Sequence, residues 1–271
     1  MTVRHRDGTA DRVSRMRQAY EEVLALAAPT PYQFAWRRAR FDRGLKLVDE
    51  LAALGKSVRD RRVVDLGAAH GGDSAAVLAS GAGTVVSVDL FDYSYRPLGE
   101  RLASASDGSG RLVALRADAN APVPLREGVA DVVLSFGLIE HVRDLGAFFR
   151  EVHRVLRPSG FAVLVVDVAL RSLAYDPVFG TRLTGALPMP LRRFVAERVC
   201  GRSYEFSLAN RTFYSSGSIA KHAVPAGFTV DPHKFRDSPI AARVKSWPLA
   251  SVWDTLLARY AFDFLILERR R

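Results

Sequence analysis

The sequence predicts an α/β fold in which parallel strands alternate with helices, and three stretches carry that prediction. Residues 62–90, RVVDLGAAHGGDSAAVLASGAGTVVSVDL, read as a strand, a glycine-bearing turn, a helix and a second strand. Residues 131–135, DVVLS, form a continuous apolar run of the kind found in strands covered on both faces. Residues 161–166, FAVLVV, repeat that pattern after a helical segment that carries its own stop signal.

Composition sets the bounds. Of 271 residues, 48% are hydrophobic and 25% charged, enough to bury a full core in one large α/β domain with additions. The single cysteine, Cys200, excludes an internal disulfide and a cysteine-based zinc cluster, and suits a reducing compartment. The most apolar run, 161–170, is too short to span a bilayer and contains Asp167, and the charged N-terminal stretch lacks the apolar core of a signal peptide. A cytoplasmic protein without a transmembrane helix is therefore expected. The formal net charge of +10 favours anionic partners, whether nucleic acid, an acidic membrane or a phosphorylated substrate. A solvated arginine-rich surface accounts for it equally well, so charge alone selects no function.

In chain order, residues 1–57 form an N-terminal helical cap. Within 11–28, Val13, Met16, Tyr20, Val23, Leu24 and Ala27 recur at helical spacing, and Pro29 and Pro31 end that helix. Within 32–54, Phe34, Phe41, Leu45, Val48, Leu51 and Leu54 make an apolar stripe with arginines elsewhere. The cap is expected over the mouth of the site. Tyr32, Phe34 and Trp36 then close over a ligand or, as is commoner for aromatics at this spacing, pack in the core.

At the centre of the chain Val63 and Val64 lead into Asp65, and Gly67, Gly71 and Gly72 allow a tight turn before a helix that starts at Ser74. Glycine lacks the Cβ that would keep a ligand from the backbone, and the first N–H groups of a helix have no partner within it. Asp89 ends the second strand, where a carboxylate accepts from ribose hydroxyls. A dinucleotide fits this turn less well, because the glycines do not follow G-x-G-x-x-G and Asp65 disfavours a pyrophosphate while suiting a cationic amino-acid ligand. An ordinary βαβ turn without a ligand is the plain alternative.

Beyond it, a polar aromatic loop (FDYSYRP), a short helix and an SASDGSG spacer lead to a third strand, 111–118, ending at Asp118 before Ala119 and Asn120. Read alone, Asp118 caps a turn. The fourth strand runs into FGLIEHV, Asp144 caps a helix with Phe148, Val152 and Val155 on its apolar stripe, and 157–160, RPSG, stops it before the fifth strand.

These residues resemble the class I S-adenosylmethionine (SAM) methyltransferases. DLGAAHGG is similar to their motif I, D/E-x-G-x-G-x-G, with Ala69 in place of the middle glycine, and EHV and LRPSG are similar to the EHV and LRPGG segments of the small-molecule group that includes ubiquinone and sugar O-methyltransferases. The resemblance spans about residues 60–168. It implies a Rossmann-like seven-stranded sheet with helices on both faces, and SAM as cofactor. It places cofactor contacts at Asp65, Gly67, Ala68, His70, Gly71, Asp89, Leu90, Asp118, Ala119, Ser135 and Phe136, with the adenine ring read at Asp118 and Ala119.

Methyl transfer from a sulfonium is an in-line displacement, so the protein aligns the acceptor and manages its proton. His141, after the fourth strand, is the candidate general base, since imidazole has the pKa that task needs. Asp167, ending the fifth strand, is its candidate partner; the resemblance to sugar O-methyltransferases implies both roles. Two alternatives stand beside it: His141 only shapes the pocket, or Glu140 is the functional member, as in the similar pair of the cyclopropane synthases. Catechol-type enzymes place a metal-binding aspartate where this chain has Phe136, so a metal-independent reaction is expected.

Residues 171–216 interrupt the pattern and are expected as a lid insertion that selects the substrate. Within them 186–200 is basic and amphipathic, suited to packing on its own domain or to peripheral contact with an anionic membrane. The core pattern then resumes with a short helix over 218–227, a strand at 228–235, a helical insert at 247–260 and a terminal strand at 262–269 that together suit an antiparallel hairpin. The reading favoured is O-methylation of a hydroxylated small molecule, sugar or glycolipid. DLGAAHGG is also similar to the turn of ribose 2′-O-methyltransferases, but Phe136 again replaces their catalytic aspartate and no RNA-binding module is visible, so nucleic acid is not the expected partner. A non-catalytic SAM-binding protein is the third reading.

Overall fold

The computed structural model describes residues 4–27, 31–90, 95–106, 110–166, 215–236 and 262–270, with Leu191, Phe194 and Arg198. Asp167, the helical insert expected at 247–260 and all but those three residues of the expected lid up to 214 lie outside the described residues. The elements are α1 (Arg4–Ala27), α2 (Pro31–Ala53), β1 (Arg62–Leu66), α3 (Gly72–Ala79), β2 (Thr84–Asp89), α4 (Tyr95–Ala105) and β3 (Arg111–Arg116). They continue with β4 (Ala130–Phe136), a 3-10 turn (Ile139–His141), α5 (Leu145–Val155), β5 (Leu156–Val165), α6 (Ser216–Ala223), β6 (Phe228–His233) and β7 (Phe264–Arg269).

The strands form the expected seven-stranded Rossmann-like sheet, in the order β3-β2-β1-β4-β5-β7-β6. β1 pairs in parallel with β2 and β4, and β2 with β3, whereas β6 and β7 are antiparallel. Parallel strands need helical crossovers, which is why the strand and helix patterns alternate along the chain. The chain divides into two compact units, residues 1–135 with 151–162, and residues 136–150 with 163–271.

In the first unit, Val63, Val64, Leu66, Val85, Val88, Val132, Val133 and Leu134 are buried along β1, β2 and β4. α1 packs on α3 and α4, and α2 packs along α3. The approach of α2 to α3 is close: a Cβ on Gly44 would lie 2.7 Å from the Ala76 Cβ, and one on Gly72 would lie 2.7 Å from the Tyr20 hydroxyl and 2.9 Å from the Arg40 Cβ. The buried apolar face of α2 is consequently centred on Gly44 and includes Phe41, Leu47 and Leu51, with Glu50 buried beside them. The expected stripe is corrected on this point, because Leu45 and Val48 are half-buried and Leu54 is exposed. Pro31 does not end α1 but opens α2, a position where the missing N–H costs nothing.

At the other end of β1, the buried Asp131 carboxylate accepts from the Arg62 N–H at 2.7 Å and pairs with the Arg62 and Arg157 guanidinium groups. Burial opposes its ionisation, but those donors hold its carboxyl below the usual range. β5 begins at Leu156, directly after α5, so the RPSG segment is the first part of the strand rather than a separate turn. A Cβ on Gly160 would meet the Asp131 carbonyl at 2.6 Å, which shows how tightly β5 approaches the start of β4 there. β3 likewise stops at Arg116, two residues before Asp118.

In the second unit, the Gly137 N–H donates to the Val165 carbonyl at 2.8 Å. Asp144 caps α5 through the Ala147 N–H at 2.9 Å, as expected. α6 starts before Ser218, because Ser215 and Ser218 form a reciprocal capping box. The terminal hairpin is the expected one, with Val230 opposite Leu267 and the His233 ring stacked on Phe264. Among the described residues no helix is long and apolar enough to cross a membrane.

Candidate functional site

The first unit gathers most of the predicted residues at the C-terminal ends of β1, β2 and β3. After Asp65, the turn reverses through three left-handed residues: Gly67 at φ +76°, Ala69 at +48° and Gly71 at +73°. The Gly67 and Ala68 N–H groups both donate to the Val88 carbonyl, at 2.8 and 3.1 Å, and the Ala69 N–H donates to Asp89 Oδ2 at 2.9 Å. The turn is thus tied at three points to the end of β2. Gly71 is the N-cap of α3 with no side-chain cap, so the first N–H groups of that helix face the turn without an intrahelical partner.

Asp65 is fully buried. Its Oδ2 accepts from the Ser74 hydroxyl at 2.6 Å, and Ser74 accepts in turn from the Ser87 hydroxyl at 2.7 Å. Its Oδ1 is buried and has no hydrogen-bond partner among the described residues. Burial, with the nearby Asp73 carboxylate, pushes the Asp65 carboxyl up to about 7, against the Ser74 hydrogen bond and the Arg40 and Arg43 guanidinium groups. A buried carboxylate oxygen without a donor is a defect in a closed protein and an acceptor in a binding site. It fits a cationic amino-acid end such as that of SAM.

A second carboxylate lies beside it. Asp73, 1% exposed at the side chain, is held by Arg40 Nε at 3.0 Å and by Arg43 Nη2 at 2.6 Å, both from α2. The N-terminal layer therefore reaches the first turn of α3, and Tyr20 of α1 supports it by donating to the Arg37 carbonyl at 3.1 Å and stacking on Phe41. Sequence reasoning missed Asp73, Arg40 and Arg43. Two arginines three apart on a helix and an acid in the first turn after the glycines were the available signal. Ser87, a hydroxyl inside the apolar strand VVSVD, was another.

The remaining cofactor candidates are placed as follows. His70 is half-buried on the turn, and burial with Arg37 and Arg40 pushes its imidazole down to about 4, so it is neutral at pH 7. Ala68 is buried and Leu90 is 45% exposed. Asp118 is exposed and turns on itself, accepting from the Asn120 N–H and side-chain amide, each at 2.9 Å. The Ala117 N–H donates to the Asp89 carbonyl at 3.0 Å, which brings the ends of β2 and β3 side by side. Ser135, near the end of β4, is buried with no hydrogen-bond partner for its hydroxyl among the described residues, and Ala119 is half-buried.

The second unit holds Phe136, Glu140 and His141. Phe136 and Glu140 are each 3% exposed, whereas His141 is exposed in the 3-10 turn, with its N–H on the Leu138 carbonyl at 2.8 Å. The candidate partner Asp167 is outside the described residues.

Residues 64–164 match the family described as a methyltransferase domain. No curated protein matches the sequence. Among solved structures, a chain of the Haloferax volcanii complex between a methyltransferase activator and its methyltransferase is 17% identical, with 92% of this chain and 98% of that one covered and a TM-score of 0.53. A geranyl diphosphate methyltransferase solved with SAM is 15% identical over 84% of this chain and 85% of its own, with a TM-score of 0.50. Phosphoethanolamine N-methyltransferase 2 of Haemonchus contortus, solved with S-adenosylhomocysteine, is 17% identical over 94% of this chain and 57% of its own, also at 0.50.

Proposed function

We propose that this chain, which belongs to the class I SAM-dependent methyltransferases and has SAM as its cofactor, methylates a hydroxyl of a small molecule, sugar or glycolipid. The observation that carries the cofactor site is the unpartnered, buried Oδ1 of Asp65 beside a glycine turn anchored to Asp89. Asp65 takes the amino-acid end of the cofactor, the turn from Gly67 to Gly71 lies along it, and Asp89 accepts from its ribose hydroxyls. Asp118 with Ala119 borders the adenine, and His70, Leu90 and Ser135 complete the lining that the first unit supplies.

Bound SAM supplies a methyl group already attached to a good leaving group, a sulfonium sulfur. His141 accepts the acceptor's hydroxyl proton, and Asp167 orients the imidazole and stabilises its charged form. The exposure of His141 next to the buried Glu140 supports this division, because a base must reach a diffusing acceptor. The apolar, buried Phe136 in the place of a metal-binding aspartate supports transfer without a metal ion. Exposed Leu191 and Phe194, separated in sequence by Arg192 and Arg193, support a peripheral contact of 186–200 with an anionic membrane.

The test is incubation of the protein with methyl-labelled SAM and fractionated extract of its source cells. Label in the lipid or small-molecule fraction, resistant to conditions that cleave esters, is the expected result. Label confined to RNA or protein overturns the acceptor class.

A further inference from the structure

We infer that Ser74 and Ser87 are positioning residues for the cofactor's amino-acid end, a two-hydroxyl relay that engages one oxygen of Asp65 and leaves the other for a cation. The inference rests on the reading of Asp65 as a SAM contact given above.

Three elements each contribute one member. Asp65 is the penultimate residue of β1, Ser87 is its register partner on β2 and so shares its face of the sheet, and Ser74 lies in the first turn of α3. All three are 0% exposed. The proton count sets the direction of the relay. Each serine has one hydroxyl proton; Ser74 donates its own to Asp65 Oδ2, and Ser87 donates to the oxygen of Ser74. Both dipoles therefore point their positive ends toward the carboxylate and favour its ionised form. Oδ1 receives no hydrogen bond from the described residues. A hydroxyl midway along an otherwise apolar buried strand has no packing reason to be there, whereas orienting a carboxylate gives it one.

Among the described residues, three charged groups act on Asp65. Asp73 on α3 opposes its ionisation, Arg40 and Arg43 on α2 favour it, and β2 and β4 present the uncharged Ser87 and Leu134. In this balance burial holds the carboxyl near 7, so part of the protein carries a neutral Asp65 at neutral pH until a cation arrives. Cofactor binding then ionises Asp65, and its proton leaves to solvent. The relay sets the pH at which that release occurs.

Calorimetric titration with SAM from pH 5.5 to 8, in buffers of different ionisation enthalpy, tests the relay without any acceptor. Wild-type affinity is expected to fall on the acid side of about pH 7, with proton release on binding. Ser74→Ala is expected to move that midpoint up by about one pH unit, weakening binding about tenfold at pH 6 to 7 and less toward pH 8. Ser87→Ala shifts it in the same direction by less, and Ser74→Thr, which keeps the hydroxyl, restores it. Loss of affinity by the same factor at every pH, with the midpoint unmoved in both alanine variants, overturns the relay and leaves the cofactor site standing. Absence of SAM binding to the wild type overturns both.

Discussion

The Ala69 N–H donates to Asp89 Oδ2 at 2.9 Å while Ala69 sits at φ +48°, so one contact fixes both the strained residue of the turn and the carboxylate at the end of β2. An L-residue in the left-handed region costs about 1–2 kcal/mol, a cost that glycine avoids. Ala69 stands where the related motif has its middle glycine, and the backbone keeps the glycine conformation. Ala69→Gly is therefore expected to stabilise the protein by about 0.5–1 kcal/mol, after allowance for the greater freedom of glycine in the unfolded chain. Urea denaturation checks the sign.

Asp89 has two tasks, accepting from the turn and, in the proposed site, from ribose. Asp89→Ala removes both and is expected to weaken SAM binding by about 10- to 100-fold, the range for hydrogen bonds to a charged group. Calorimetry at pH 7.5 measures it, and unchanged affinity would remove Asp89 from the site. Asp89→Asn keeps an acceptor for Ala69 and should lose less than the alanine variant.

The sheet was legible because its strands are apolar runs of the length and spacing that parallel pairing demands, and because Asp65 and Asp89 lie at the C-terminal ends of β1 and β2, with Asp118 two residues beyond β3. The face of α2 was not. Helical periodicity alone admits either of two neighbouring stripes, and the choice was made by Gly44, whose missing side chain lets α2 settle against Ala76. The Asp73 clamp was hidden for a related reason, since its partners lie some thirty residues upstream on another helix. The serine relay depends on β1–β2 register, which sequence does not state. Asp118 illustrates the opposite case, where a local reading, a carboxylate capping its own loop, describes the two hydrogen bonds it accepts from Asn120.

The Asp73 clamp predicts a non-additive mutant set. Asp73 is buried and holds two guanidinium groups, so Arg43→Ala leaves one partner and should cost about 1–2 kcal/mol, whereas removing Arg40 as well strands a buried charge at about 3–5 kcal/mol. Adding Asp73→Asn to the double variant should recover part of that loss. Chemical denaturation of the four proteins checks the order; equal costs for the single and double variants would contradict the clamp.

Two groups of the turn impose opposite pH dependences on stability. For Asp65 the folded value, about 7, lies above the ordinary 3.8, so the folded state takes up a proton first and gains stability as pH falls from 7 toward 4. For His70 the folded value, about 4, lies below the ordinary 6.5, so the unfolded state takes up a proton first and stability is lost over nearly the same window. Asp65→Asn should therefore stabilise the cofactor-free protein at pH 8, by about 4 kcal/mol at most, and add little at pH 4. The same substitution should abolish SAM binding. A melting series from pH 4 to 8 without ligand reads this trade of stability for a binding charge.

For the chemical step, His141 is exposed in the turn after β4, so its removal tests catalysis with little disturbance of the buried core. His141→Ala should leave the melting temperature and the SAM affinity unchanged while slowing methyl transfer to a hydroxyl by about 10²- to 10⁴-fold, the usual contribution of a general base. A general base acts only when unprotonated, so the wild-type rate falls on the acid side and the alanine variant lacks that limb. Added imidazole should restore part of the rate in the variant. Single-turnover measurements with labelled SAM, once an acceptor is identified, decide between this role and pocket shaping; pocket shaping would raise KM for the acceptor and leave the pH profile in place.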